Sequence, residues 1–155
     1  MKESSNTTLV TTPLGCSYVP AQTGFELLDF SSIPQVLPFL EGIFLIATTD
    51  GDQPHLRPFD AAGILDGKLY IGTKNNKKVY SQIKNNPKVE IYATNDTLGA
   101  LRIQAEAYPA AAEINQAAYE STQKDYTGET CAAIELKNVH GTISNKLGET
   151  IDVNF

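Results

Sequence analysis

The stretch DGKLYIGTKNNKKVYSQIKNNPKVEIYA, residues 66–93, decides the fold of this chain because it contains turn, strand and helix signals in succession. Asp66-Gly67 lies between two strand-like runs, residues 55–65 and 68–73. It predicts a tight hairpin, because both residues of such a turn need φ > 0. We expect this hairpin to fold the run at 55–65 back beside the end of the run at 68–73. Another strand-like run, residues 88–94, completes the stretch.

A short helix is predicted between the last two of these runs. Val79 and Ile83 are four residues apart, so they form one apolar stripe along a helix. Asn75 or Asn76 is a favourable N-cap, and Asn86-Pro87 ends the helix. The stretch therefore predicts a strand, a helix and a second strand after the hairpin.

Strand signals continue on both sides of this stretch. Residues 100–108 alternate apolar and polar side chains, and NDTLG joins them to the run at 88–94 as a second probable hairpin. Further strands are predicted at residues 43–49, 131–138 and 140–145, and helices at residues 31–42 and 109–123. The pattern indicates a mainly β (α+β) protein: a six- to seven-stranded antiparallel barrel with short flanking helices.

The overall composition is that of a globular protein with one main domain. The 155 residues and 41% hydrophobic content predict a domain over residues 25–155. Residues 1–24 are rich in Ser, Thr, Pro and Gly and predict a loosely ordered arm, or one that packs across a neighbouring subunit. The net charge of −6 argues against binding to nucleic acid or anionic membranes. With no long apolar run and no secretory signal, the sequence predicts a cytoplasmic location.

The cysteines and histidines do not form a recognisable site. Cys16 and Cys131 form no CxxC pair, which is typical of reduced thiols. His55 and His140 are the two histidines and lack metal-ligand spacing, so no metal site is predicted.

Lysines are concentrated in the central stretch of this acidic chain. Six of the twelve Lys and Arg residues lie between residues 66 and 90, with no Asp or Glu among them. Lys77 and Lys78 fall in the predicted first helical turn, where the helix dipole repels cations. They form either a solvated charged face or, as we favour, a phosphate site in which an anion offsets that repulsion. Arg57, brought near by the hairpin, would add a planar fork for phosphate oxygens.

Three segments resemble the pyridoxamine 5′-phosphate oxidase-like family of FMN-binding split β-barrel proteins. They are LIATTDGDQPHLRPF (45–59), DGKLYIGTKNNKKVYSQIKNNPKVEIYA (66–93) and LRIQAEA (101–107). They occur in the family's order and with similar spacing, and the resemblance runs from about Phe39 to Ile151. It implies a homodimer with FMN bound at the interface between the subunits.

The resemblance also implies a set of cofactor-binding residues. Carried over by position, they are Arg57, Pro58, Phe59, Thr73, Asn76, Lys77, Lys78 and Arg102. The first arginine and the two lysines would hold the FMN phosphate, and Pro58 and Phe59 would run alongside the isoalloxazine ring. Thr73 and Asn76 would lie near the phosphate or the ring edge. Arg102 has two equally supported roles: it reaches the cofactor, or it pairs with Glu106 on the strand face.

The chain departs from the family pattern at several positions. Asp60 and Ala105 stand where similar members often have glycine, and Asp60 would either approach the flavin or point outward. The sequence ends at Phe155 without the Arg-rich segment that grips substrate in true pyridoxamine phosphate oxidases. The namesake activity is therefore not expected.

The phosphate site and the resemblance together imply an FMN-dependent oxidoreductase that passes hydride or electrons through bound FMN to an unidentified small substrate. A nicotinamide nucleotide is a plausible electron donor. Catalytic residues remain unassigned, because the cofactor carries the chemistry. One alternative is a non-catalytic flavin-binding or electron-carrier protein. Another is an interaction protein whose site is vestigial.

Overall fold

The structure is a computed structural model that describes residues 10–11, 17–18 and 33–155. Its strands are β1 (Val10–Thr11), β2 (Ser17–Tyr18), β3 (Phe44–Asp50), β4 (Gln53–Phe59), β5 (Ala62–Leu65), β6 (Lys68–Lys74), β7 (Lys88–Asn95), β8 (Gly99–Pro109), β9 (Cys131–Ser144) and β10 (Thr150–Asn154). Its helices are α1 (Ile33–Val36), a 3₁₀ helix (Leu37–Leu40), α2 (Lys78–Asn85) and α3 (Asn115–Glu120). None of these helices is long and apolar enough to cross a membrane. The arm predicted over residues 1–24 lies outside the described residues except for β1 and β2, which pair with each other.

The main sheet is antiparallel and closes into a barrel. Its strand order is β4-β3-β7-β8-β9-β6-β5, and β10 pairs with β9 beyond this path. β4 and β5 lie at opposite ends of this order, yet Asp60 and Ala61 are the two residues between them. Three Cα steps span at most about 11 Å, so the two edges of the sheet must come together. The mainly β barrel is therefore confirmed, and β10 is an additional strand that the sequence analysis missed.

Both predicted hairpins are present, but the run predicted at residues 55–65 is two strands, and only β5 pairs with β6. Asp66 and Gly67 have φ of 51° and 74°, and Leu65 pairs with Lys68 across the turn. β7 and β8 form the second hairpin, with Asn95 opposite Gly99. Turn residues fix these local pairings, which is why the sequence sufficed to predict them.

The start of α2 differs from the expectation. Lys77, with φ −89° and ψ 151°, is the N-cap, and it makes no side-chain capping bond. The expectation of an asparagine cap is wrong, because the Asn75 amide donates instead to the backbone oxygen of Glu129 at 2.9 Å. The helix ends at Asn85, as the following Asn86-Pro87 predicted.

The helix expected at residues 109–123 is shorter, and its proline ends a strand. Pro109 pairs with Ile134 at the end of β8, and the Ala110 N–H continues this pairing to the Ala133 oxygen at 2.9 Å. Pairing with β9 thus satisfies the backbone groups that would have begun the helix. Helical structure starts only at Asn115.

Two other elements differ in continuity. The strands predicted at residues 131–138 and 140–145 are one strand, β9, with an irregularity at Asn138, whose φ is 52°. The helix predicted at residues 31–42 is α1 followed by the 3₁₀ helix, and Pro38 lies in the first turn of the latter. Residues 31–32 of that prediction lie outside the described residues.

The apolar core fills the barrel, and a smaller cluster packs on its outside. This second cluster joins α3 to β6 and β9 through buried Tyr70, Ala118, Tyr119, Cys131 and Ala133. A Cβ at Gly63 would overlap the backbone of Ser121, so the segment after α3 lies directly on β5. This close approach brings that segment to the point where the two edges of the sheet meet.

Candidate functional site

A cavity of about 220 Å³ lies where β4 and β6 approach each other, and we call it the β4–β6 cavity. It is lined by Arg57, Pro58, Phe59, Asp60, Ala61, Gly72, Thr73, Lys74, Lys77, Val79, Tyr119 and Lys124. Arg57 lines the same cavity as Thr73 and Lys77, but the hairpin at Asp66-Gly67 does not by itself place it there, contrary to expectation. That hairpin pairs β5 with β6, whereas β4 pairs with β3. The short link of Asp60 and Ala61 brings β4 to β6, and the Gly72 N–H donates to the Ala61 oxygen at 3.1 Å as a continuation of the β5–β6 pairing.

Arg57 enters the cavity wall from β4 and is held by neutral partners. Its Nη1 donates to Thr48 Oγ1 at 2.8 Å and to the Ile46 oxygen at 3.4 Å, and its Nη2 donates to Gln82 Oε1 at 2.7 Å. The Thr48 hydroxyl also donates to Gln82 Oε1, at 2.6 Å. Burial lowers the pKa of Arg57, but an arginine remains charged at neutral pH. These contacts orient the guanidinium without neutralising it.

The N-terminus of α2 adds further positive charge. Lys77 lines the cavity as the N-cap residue, while Lys78 begins the helix and is exposed outside the lining. The helix carries no acidic residue in its first turn and has no side-chain cap. Uncapped N–H groups and the positive end of the dipole favour an anion at this position.

Two more lysines line the cavity that the sequence analysis did not assign to it. Lys74 ends β6, next to Thr73, and Lys124 arrives from the segment after α3. Lys124 Nζ lies 3.1 Å from Asp60 Oδ2, and the Asp60 side chain is 66% exposed. Lys74 belongs to the central lysine-rich stretch and could have been included on that ground. Lys124 lies far away in sequence, so only the tertiary structure places it here.

The other residues implied by the resemblance take different positions. Arg57, Pro58, Phe59, Thr73 and Lys77 line the β4–β6 cavity, whereas Asn76 is exposed beside it. Arg102 lies on the outer face of the sheet, where Nη1 is 2.9 Å from Glu90 Oε2 and the guanidinium is 5.0 Å from the Tyr92 ring centroid. Its carboxylate partner is thus Glu90, whereas Glu106 accepts a hydrogen bond from the Tyr108 hydroxyl at 2.7 Å.

The outer face of β3, β4, β7 and β8 exposes apolar side chains. Leu56 is 65% exposed and Tyr92 36% exposed, and both line a groove that also contains Leu45 and Ala47. A larger cavity of about 580 Å³ adjoins it, with Glu90 and Gln104 among its lining residues. Contiguous exposed apolar groups of this kind are typical of protein–protein contacts.

The described residues contain no group of three or more His, Cys, Asp and Glu side chains placed to hold a metal ion. The donors that converge on the β4–β6 cavity are instead cationic nitrogens and a helix N-terminus. Their chemistry suits an anion such as a phosphate ester.

The chain is similar to a NimC/NimA family protein from Clostridium acetobutylicum. The two are 33% identical, and the match covers 85% of this chain and 98% of that one with a TM-score of 0.72. The General Stress Protein 26 of Bacillus anthracis is 18% identical over 75% of this chain and 94% of its own, with a TM-score of 0.54. A pyridoxamine 5′-phosphate oxidase-related, FMN binding protein from Nostoc punctiforme is 12% identical over 90% and 99%, with a TM-score of 0.51. The last two show a shared fold. No protein-family model matches this chain, and no curated protein does.

Proposed function

This chain belongs to the pyridoxamine 5′-phosphate oxidase-like family, and we propose that it binds FMN in the β4–β6 cavity. The observation that carries the proposal is the convergence of Arg57, Lys77 and the uncapped N-terminus of α2 on one cavity. None of these three groups is neutralised by a carboxylate among the contacts within the described part of the chain. A bound phosphate would supply the missing negative charge.

The residues present fit the phosphate end of FMN. Arg57 offers a planar pair of N–H donors, and its contacts with Thr48 and Gln82 fix its orientation before a ligand arrives. Thr73 lies in the same lining and adds a hydroxyl to the set of possible donors. Pre-organised, charge-assisted donors bind oxyanions more strongly than donors that must first be ordered.

The size of the cavity indicates that one chain encloses only part of the cofactor. Its volume of about 220 Å³ is smaller than the roughly 300–1,000 Å³ that is typical of small-molecule sites. A second copy of the chain would complete the site, and the apolar outer face around Leu56 and Tyr92 supplies a surface for it. We therefore include a homodimer with FMN at the interface in the proposal.

FMN, when bound, would supply hydride or electron transfer between a donor and a small substrate. The chain itself would hold the phosphate through its cations and place Pro58 and Phe59 beside the bound cofactor. Residues of β4 and β6 are rigidly paired in the sheet, so they would orient the cofactor and exclude water from its buried side. A nicotinamide nucleotide is the donor that we propose to test.

The test is the flavin content of Lys77→Glu/Lys78→Glu. We expect wild-type protein to bind about one FMN per chain and this variant to retain none, because two negative charges then replace two positive ones at the start of α2, beside the phosphate. Lys68→Glu/Lys146→Glu is the matched control, since both lysines are exposed and outside the cavity lining and the change in net charge is the same. Wild-type protein that cannot be reconstituted with FMN would disprove the proposal.

Reduction under anaerobic conditions separates an enzyme from a carrier. Bleaching of the flavin by NADH or NADPH, followed by reoxidation with an added acceptor, would support the oxidoreductase. Flavin that stays oxidised with both donors would favour the non-catalytic flavin-binding protein.

The dimer is tested by placing a charge on the outer face. Leu56→Asp is expected to convert a dimer into a monomer in light-scattering measurements, because dimer formation would then bury an unpaired carboxylate at position 56. Leu147→Asp is the control, since Leu147 is 59% exposed in the connection between β9 and β10. Wild-type protein that is monomeric with FMN bound would contradict the shared site.

A further inference from the structure

A buried thiol lies behind the wall of the β4–β6 cavity. Cys131 is the first residue of β9 and is 1% exposed. Its Sγ accepts hydrogen bonds from Lys74 Nζ at 3.0 Å and from the Thr127 N–H at 3.4 Å, and the Thr127 hydroxyl lies at 3.4 Å. Tyr119 contributes another side-chain hydrogen bond. Donors from β6, α3 and the loop before β9 thus converge on one sulfur.

This arrangement favours the thiolate. Burial by itself raises the pKa of Cys131, but the hydrogen bonds from Thr127, Lys74 and Tyr119 outweigh it and lower the pKa from the ordinary 9.0 to about 6. The same contact with Cys131 is the main cause that raises the pKa of Lys74. At neutral pH the two groups therefore form a thiolate–ammonium pair.

Of the two members of this pair, the ammonium group of Lys74 lines the cavity and the sulfur of Cys131 lies behind it. Lys74 and Tyr119 line the β4–β6 cavity, and Lys74 Nζ lies 5.5 Å from the centroid of the Tyr119 ring. Lys74 is the charged group that faces the sulfur from β6, and Tyr119 is the titratable group that faces it from α3. When Cys131 is ionised, the pair adds no net charge to the cavity. When Cys131 is protonated, Lys74 adds a full positive charge.

We propose that Cys131 sets the anion affinity of the β4–β6 cavity by serving as the internal counter-ion of Lys74. The thiolate neutralises Lys74 while no anion is bound, and an anion that binds beside the ammonium group raises the fraction of Cys131 that takes a proton from solvent. No electron is transferred in this step. The inference rests on the proposed function in so far as the physiological anion is the phosphate of FMN. Cys131 is therefore a positioning residue, since it acts through Lys74.

The first experiment titrates Cys131 directly. The Cys16→Ser protein contains Cys131 as its single thiol, and the ultraviolet absorbance of the thiolate reports its ionisation. Sulfate is the probe because it remains a dianion across the titration. We expect a pKa of about 6 without sulfate. We expect an increase of about one unit with saturating sulfate, which by reciprocity equals a roughly tenfold coupling. A pKa near the ordinary 9.0, or one that sulfate does not move, would overturn the proposal.

The second experiment measures sulfate affinity by calorimetry. Cys131→Ser keeps the size of the side chain but stays neutral, so at about pH 8 it should bind sulfate roughly tenfold more tightly than the wild type. The sulfate affinity of the wild type should increase on acidification to about pH 5, whereas that of Cys131→Ser should not increase. Lys74→Met should weaken sulfate binding and raise the pKa of Cys131.

The outcomes separate this inference from the proposed function. Equal sulfate affinity in wild type and Cys131→Ser, or no sulfate binding by either, would overturn the counter-ion role. Failure to bind FMN alongside the expected sulfate results would contradict the cofactor and leave the counter-ion role intact. If Cys131→Ser does not fold, the thiol titration decides, because it needs no change at Cys131.

Discussion

The cavity wall and the outer face of the same sheet each carry an arginine, and the two differ in how their charge is compensated. Arg57 donates to two side chains and a backbone oxygen that are all neutral. Arg102 pairs with a carboxylate of Glu90 at 2.9 Å, lies over Tyr92 at 5.0 Å, and has a side chain that is 62% exposed. Both are strand arginines in the sequence, and only one is left with unneutralised charge in the structure.

The difference indicates which arginine is prepared for an anion. An exposed ion pair such as Arg102–Glu90 contributes little and has no charge to offer a ligand. A half-buried guanidinium held by neutral acceptors has been desolvated without gaining a counter-ion. The charge compensation of Lys74 is intermediate between those of the two arginines, because its counter-ion is a thiolate that can be protonated.

The largest effect should come from removing the uncompensated charge. Arg57→Met is expected to weaken FMN binding by about 10- to 150-fold, the equivalent of about 1.5–3 kcal/mol for hydrogen bonds to a charged group. Arg102→Met should change the affinity by less than about threefold. Fluorescence quenching of FMN measures both, and equal losses in the two variants would remove the distinction.

The second-largest effect is expected from removing a neutral hydrogen-bond partner of Arg57. Gln82→Leu removes the acceptor shared by Thr48 and Arg57, and Gln82 is 6% exposed. We expect the free energy of unfolding to fall by about 1–3 kcal/mol, because a buried hydroxyl and a guanidinium lose a partner. Gln104→Leu on the exposed outer face should change it by less than about 0.5 kcal/mol. Urea denaturation of the cofactor-free proteins measures both, and equal stabilities would contradict the ordering role of Gln82.

The compensated lysine predicts a pH dependence. The pKa of Cys131 is about 6 in the folded protein and 9.0 ordinarily, so the unfolded state binds more protons between these values. In a Cys16→Ser background, the stability advantage of Cys131 over Cys131→Ser should therefore increase as the pH rises from about 6 to about 9. Below about pH 6 this ionisation should contribute nothing. Denaturant titrations across this range measure it, and a flat difference would exclude a depressed pKa.

The smallest effect belongs to the outer ion pair. Glu90→Gln should lower the free energy of unfolding by less than about 1 kcal/mol, because its pair with Arg102 is exposed. The loss should shrink further in high salt, where exposed charges are screened. A loss as large as that of Gln82→Leu would mean that the two arginines do not differ in how their charge is compensated.

Local features of the chain were predictable from the sequence. The hairpin at Asp66-Gly67, the apolar stripe of Val79 and Ile83, and the alternation in residues 101–107 are each set by residues close in sequence. Turn conformations and side-chain periodicity depend on neighbours along the chain, so they can be predicted without knowledge of the fold. The lysine cluster at the start of α2 was visible for the same reason.

Other features depended on competition between distant segments. Pro109 would suit the first turn of a helix, yet it ends β8 because β9 offers a pairing partner. Asn75 would suit a helix cap, yet its side chain binds the backbone of Glu129. In both cases a long-range hydrogen bond replaced the local one, and no nearby residue signals that choice.

The sequence by itself determined the strands, the turns and the lysines that open α2, because periodicity and backbone conformation are local properties. The tertiary structure alone decided that Lys74 and Lys124 join Arg57 and Lys77 in one cavity and that Lys78 lies outside its lining. Barrel closure through Asp60 and Ala61 brings Arg57 to Lys77, packing of α3 brings Lys124, and β9 places Cys131 against Lys74. The distances between these residues depend on which strands become neighbours, and burial of the whole core determines that arrangement.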